Sequence, residues 1–341
     1  MKNCSTLFCV PKEHLIRREL KRALFGERLF CPHCGSPQIK KYNKRYRCKL
    51  CRKPFSLTSV SWLRGTKLSL ASIWQLLGCW TEKIPIDQAR KFCGISEVTT
   101  RRWYEKFRGH LPQDKLDSIR LSGVVQMDEA YRGGKKNGYA ILGAKEEAKV
   151  GKPRRMVLQV LPKSSVDRKD VVEFISQVIL PTSRFNTDGA AIYRGIGNHW
   201  PLIHRYDIHK KFEFALTSEI EGTWGNLFTF IRRMYHHVTR DKISGVIQEF
   251  VARSMFKNWF YSPENYIAIA FARLPRPKQK EWRGRYQTKK KVGKIFSFKN
   301  AVSPFILQPE VLLPVPSCLV YPFWSFYDHT FKCDIYWKNM V

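Results

Sequence analysis

Apolar residues recur at helical spacing in the first third of the chain and at strand spacing in the middle. Leu15, Leu20 and Leu24, with charges between them, predict a short amphipathic helix. Three more helices are expected over residues 69–109. Ser69 caps the first, whose buried face is Ile73, Trp74, Leu76 and Leu77. The second is IDQARKFCG, and the third starts at Ser96 in SEVTTRRWYEKFRGHL, with Gly94 in the turn between them. After the LPQDKLD linker the period changes. Strands are expected at 123–128, 139–145 and 155–161, a helix over DRKDVVEFISQVI, a strand ending in NTDG, another at IHRYDI, and a long helix from about 218 to 237. With a helix between the last two strands, the order β-β-β-α-β-α-β-α predicts an α/β fold with a mixed sheet and flanking helices.

In GVVQMDEAYRGGKK, residues 123–136, an acid stands where a strand should stay apolar. Burying that carboxylate, Asp128, costs several kcal/mol unless something positive meets it. NTDGAAIY repeats the grammar with Asp188 and Gly189. If those two strands are neighbours, the two acids lie at one sheet edge. Glu221 is the third, on a helix whose packing stripe is Trp224, Phe228 and Ile231. Such a set suits hard Mg2+ or Mn2+, and three carboxylates holding two such ions is an arrangement that attacks a phosphodiester in line.

Cys31, Cys34, Cys48 and Cys51 follow C-x2-C-x13-C-x2-C, the spacing of a structural Zn2+ ribbon. The short helix, Gly94 turn and following helix form a helix-turn-helix pattern that would present Thr99, Thr100, Arg101 and Arg102 to a DNA groove. Charge sharpens the picture. The 341 residues carry 61 Lys and Arg against 28 Asp and Glu, a formal net charge of +33, which implies a polyanionic partner. No apolar run reaches the length of a membrane span and no signal peptide precedes the helix, so a membrane partner is not expected and the cytoplasm, with the nucleoid, is the expected location.

The sequence CPHCG, YRCKLC, MDEAYRGGK, TDGAAIY, IEGTW and YHHVT, in that order, resembles the ISXO-like insertion-sequence transposases, from about residue 30 to 258. The resemblance implies an RNase H-like catalytic domain of DDE type, with Asp128, Asp188 and Glu221 as metal-binding catalytic residues, zinc on the four cysteines, and double-stranded DNA (the element's ends and a target) as partner of a homodimer or higher oligomer. Expected boundaries are a basic leader over 1–28, a zinc ribbon over 29–60, a helix-turn-helix-like domain over 66–112, the catalytic domain over 120–260 and a basic, Pro- and aromatic-rich tail over 261–341. One position departs from the family pattern. Phe228 stands where a lysine is usual, and Arg232 and Arg233 are the nearby cations that could replace its DNA contact. Two other readings compete with a transposase: a DNA-binding regulator with an inert RNase H-like domain, and a metal-dependent nuclease.

Overall fold

The computed structural model describes residues 9–133, 138–147, 154–196, 203–207 and 216–277. The Gly-Lys turn after Gly133, most of the basic run over 272–300 and the Pro- and aromatic-rich tail lie outside them.

Helix α1 (Glu13–Phe25) buries Ile16, Leu20, Leu24 and Phe25, one apolar stripe of a basic helix. It leads into a three-stranded antiparallel ribbon, β1 (Ile39–Tyr42), β2 (Arg45–Cys48) and β3 (Pro54–Phe55). Phe25 links the two, with Phe30 at 5.2 Å and Phe55 at 6.1 Å from its ring centre.

The expected helices follow as α2 (Leu70–Thr81), α3 (Ile86–Cys93) and α4 (Glu97–Gly109), then a single turn α5 (Gln113–Asp117). Ser69 and Ser96 accept the amides of Ser72 and Thr99, as their sequence positions require. Gly94 ends α3 at φ 62°, a left-handed conformation that glycine adopts without a side-chain clash.

The middle of the chain builds one sheet from β4 (Val124–Arg132), β5 (Tyr139–Glu146), β6 (Met156–Leu161), β7 (Arg184–Asp188) and β8 (Ile203–Asp207), in spatial order β6-β5-β4-β7-β8. The first three strands are antiparallel, and β7 and β8 are parallel to β4. That is an RNase H-like mixed sheet. Helix α6 (Arg168–Val178) precedes β7, α7 (Ser218–Tyr235) packs on β4 and β5, and α8 (Arg240–Met255) packs on β6. Between β7 and β8 the expected helix is replaced, among the described residues, by one 3-10 turn at Ala191–Tyr193. Gly195, at φ 69°, turns the chain out of a helical path directly after that turn.

Past α8 the chain returns to its beginning. Helix α9 (Pro263–Ala270) packs against α1 and α2, the Tyr266 hydroxyl donates to the Phe107 carbonyl, and the Trp62 indole donates to the Ala270 carbonyl. Residues 263–271, expected to begin a linker, therefore complete the helical core. Glu249 joins the helical part to the sheet-bearing part. Fully buried, it accepts from Arg253 at 2.9 Å, Tyr235 at 2.5 Å and Arg108 at 3.4 Å, and Arg253 in turn donates to the Thr81 carbonyl at the end of α2.

Candidate active site

Asp128 is not at a strand end. β4 continues four residues beyond it, because β5 pairs along its whole length while β7 pairs only with Val124, Val125 and Gln126. The Gln126 to Asn186 pairing, carried on by two residues, sets Asp128 level with Asp188. Both acids are half-buried. Burial is the first cause that raises the Asp128 pKa, and the charges of Asp188 and Glu221 raise it further. Asp188 and Glu221 are thus near enough for their charges to oppose the ionisation of Asp128, a situation that a bound cation relieves.

Four neighbours position the set. The Trp224 indole donates to the Asp128 carboxylate at 2.9 Å. Gln126, buried on β4, offers its side-chain oxygen to the amides of Glu219 at 2.9 Å and Ile220 at 3.2 Å, so it caps α7 from the same strand that carries Asp128. Within the first turn of α7, Thr217 donates to Glu221 at 2.7 Å. Asp188 accepts the amide of Ala190 at 3.1 Å, which holds its side chain in the turn after β7. Sequence reading passed over Gln126, although an amide inside the run GVVQMD was the available signal.

A fourth carboxylate lies beside them. Glu129 accepts the hydroxyl of the buried Tyr193, and burial together with the charges of Asp128 and Asp188 pushes its pKa up to about 7. Glu219 is otherwise engaged, paired with Arg154 at 2.7 Å and Lys145 at 3.2 Å. Asp207 accepts the Leu216 amide and is buried.

All three carboxylates of the set are oxygen donors suited to a hard divalent cation, and their mutual repulsion fits one. Among the described residues, however, the group whose ligand atoms all fall within 4.8 Å of one another is that of Cys31, Cys34, Cys48 and Cys51. Their sulfurs pair at 3.6 Å, close to the edge of a tetrahedron with Zn–S bonds of about 2.3 Å. Burial raises the thiol pKa values of Cys31 and Cys34, which a bound Zn2+ would reverse.

The DNA-facing residues expected from the pattern separate. Thr100 is fully buried beside Trp103, Tyr104 and Phe107, its hydroxyl donating to the Ser96 carbonyl at 3.1 Å, so it cannot face a groove. That expectation is corrected: position 100 is three, four and seven residues from the apolar stripe of α4 and shares its face. Thr99 is tied to the Ser96 hydroxyl, and Arg101 is paired with Glu97 at 2.8 Å. Arg102 is exposed, as is Val98 one turn before it.

Arg232 and Arg233 are both exposed but point to different sides of α7. Arg232, eleven residues after Glu221, shares its face with Phe228, whereas Arg233 lies roughly 120° round from Glu221 at 100° per residue. A cation does stand at Phe228. The Arg132 guanidinium, on the same face of β4 as Asp128, lies 4.6 Å over its ring.

Residues 120–254 match the family model of the ISXO2-like transposase domain, over the stretch that holds the sheet, α6, α7 and nearly all of α8. No curated protein matches the chain. Solved structures that align with it include two from viral integrases. One is a chain of the cryoEM structure of the simian T-cell lymphotropic virus intasome in complex with PP2A regulatory subunit B56 gamma, at 10% identity and a TM-score of 0.29, covering 50% of this chain. This chain spans 64% of the length of that one. The other is the HTLV-2 integrase catalytic core domain in complex with magnesium, in its dimeric form, at 13% identity and a TM-score of 0.26, covering 40% of this chain and 86% of that one.

Proposed function

We propose that the protein is an insertion-sequence transposase that binds the element's terminal inverted repeats and performs metal-dependent strand cleavage and strand transfer. The observation that supports the reading is that the charges of Asp188 on β7 and Glu221 on α7 reach Asp128 on β4, within the residues matched by the transposase domain. Three acids held where their charges oppose one another have no stabilising value of their own. Their use is to hold cations.

Asp128, Asp188 and Glu221 would hold Mg2+ or Mn2+, which when bound activates a water or a 3′-hydroxyl for in-line attack and stabilises the leaving oxygen. The chain's own residues do the rest. Trp224 fixes the Asp128 carboxylate, Gln126 fixes the start of α7 and with it Glu221, and Arg132 and Arg232 offer positive charge on the Glu221 side of α7 for the phosphates flanking the scissile bond. Zinc would hold the ribbon through Cys31, Cys34, Cys48 and Cys51. Arg102 is the best-placed side chain of α4 for duplex DNA. Pairing of two element ends calls for a dimer or higher oligomer, and the place of action would be the nucleoid. No helix among the described residues is long and apolar enough to cross a membrane.

The test is purified protein, Mg2+ and a duplex carrying the DNA flanks of its own gene. Cleavage and joining at those flanks are expected. Asp128→Asn, Asp188→Asn and Glu221→Gln should each lower cleavage by orders of magnitude with DNA binding kept, and the double Asp128→Asn, Asp188→Asn should resemble either single variant, because a site that cannot hold its metals has little left to lose. A Glu221→Gln variant that cuts and joins as the parent does would overturn the assignment. Cleavage without joining would favour a nuclease, and binding with neither would favour the regulator.

A further inference from the structure

On the side of α7 turned away from Glu221, an open cavity of about 570 Å³ lies between three parts of the chain: the turn from α2 to α3, α7, and the end of α8 with the turn that follows. Its mouth carries Lys83, Arg233 and Lys257, all exposed, and its floor includes Met156, Met234 and Phe250.

The charges around it do not balance. Two further cations line the cavity, but both are engaged: Lys145 with Glu219, and Arg253 with Glu249. Lys83, Arg233 and Lys257 have no acidic partner among the described residues, and the one acid in the lining is the exposed Glu82. Lys83 takes φ 58° as the left-handed residue that ends α2, its amide donating to the Trp80 carbonyl and that of Ile84 to the Cys79 carbonyl, so the turn fixes where its side chain leaves the backbone. Burial is the first cause that lowers the pKa of its ammonium, and the charges of Arg253, Lys257 and Arg233 lower it further against the opposing charge of Glu82. Like charges gathered at one cavity mouth cost stability unless an anion completes them. Their spacing across helices, with Asn226 and Thr229 as neutral donors beside Arg233, suits a row of phosphates better than a single small anion.

We propose that this cavity is a second DNA-backbone site, in which Lys83, Arg233 and Lys257 bind phosphates of a duplex on the face of the catalytic domain opposite the carboxylates. The inference rests on the reading that the protein acts on DNA. Because Lys83 belongs to the helical part while Arg233 and Lys257 belong to α7 and the turn after α8, a duplex seated here is gripped by both at once. It therefore sets the angle between DNA held by α4 and the catalytic carboxylates, without touching the reacting atoms. Arg233 thus has a role separate from that of Arg232.

The experiment compares two variants of equal charge change in a buffer with Ca2+ in place of Mg2+, using a duplex of arbitrary sequence. One is Lys83→Gln with Lys257→Gln; the control is Arg168→Gln with Lys169→Gln, two exposed cations on α6. All four positions are exposed, and unchanged melting temperatures would establish that the variants fold. For the cavity variant, the slope of log affinity against log salt should flatten by about 2, at about 0.9 per lost phosphate contact, while the control slope stays within about 0.5 of the parent. Adding Arg233→Gln should take a further step of about 1. Equal slopes in the cavity variant and the parent would overturn the site and leave the transposase reading standing. A parent protein that fails to bind duplex DNA would overturn both.

Discussion

Gly143 lies directly across the β4–β5 pair from Asp128, and the space left by its missing side chain is filled by the Trp224 indole that bonds the Asp128 carboxylate. A Cβ at Gly143 would stand 2.5 Å from the end of the indole and 2.9 Å from a methyl of Leu158. Gly143→Ala must therefore displace Trp224. Overpacking of this kind costs about 1–3 kcal/mol, read as a lower urea midpoint. Cleavage should fall with it, at a protein concentration and temperature where the variant is fully folded. Unchanged cleavage in folded Gly143→Ala would show that the indole does not position Asp128.

Gln126 connects β4 to α7 through two backbone amides. Gln126→Met keeps the length of the side chain and removes the acceptor, which leaves the first turn of α7 short of a cap. A loss of about 1–2 kcal/mol is expected, in the range of lost helix caps. DNA affinity and its salt slope should hold, and the rate of cleavage at saturating DNA should drop. Equal loss of binding and cleavage would instead mark a general loosening.

Glu129 makes metal-free stability depend on pH. Its pKa rises from 4.5 to about 7 on folding, chiefly through burial, so between these values the folded protein keeps a proton that the unfolded chain has lost. The stability it contributes is present below pH 4.5 and disappears as pH rises through about 7. Glu129→Gln removes the titration. With a chelator present, the gap between the two proteins should shift by about 2 kcal/mol in favour of the variant from pH 5 to pH 8, after discounting for partial exposure. A gap that stays constant with pH would mean that Glu129 is ionised throughout.

These three residues also mark what the chain discloses in one dimension. The acids were legible, because a carboxylate in an apolar run such as VVQMD, or before a turn glycine as in NTDG, breaks a pattern. The ribbon was legible from cysteine spacing, and the helix starts from Ser69 and Ser96. Three things were not. The true end of β4 depends on how far β5 accompanies it, which is a pairing fact. The burial of Thr100 depends on which side of α4 meets the core, and a helix with threonines and arginines on one side and aromatics a turn later leaves that ambiguous. The cation over Phe228 comes from Arg132, distant in sequence and beyond the expected end of its strand. A cation can reach a helix face from a neighbouring strand, and only the fold shows which one does.

The ribbon offers the most direct test of a metal. In Cys48→Ser the sulfur lost is the one that faces Cys34 at 3.6 Å, and three thiolates with a weak hydroxyl hold Zn2+ far less tightly than four thiolates. The purified parent should carry one zinc per chain, and the variant well below one. The structural consequence reaches past the cysteines. Their own cluster is small, but Phe30 and Phe55 of the ribbon both pack on Phe25, and α1 packs in turn on α2 and α9. Amide exchange should therefore speed up across residues 31–55 and also, to a lesser degree, along α1, where Leu20 and Leu24 lose part of their cover. Strands β4 and β5, on the far side of the helical core, should keep their protection. Zinc content equal to that of the parent would remove the metal from the ribbon, and loss of protection in β4 and β5 would mean that the ribbon and the sheet fold as one cooperative unit.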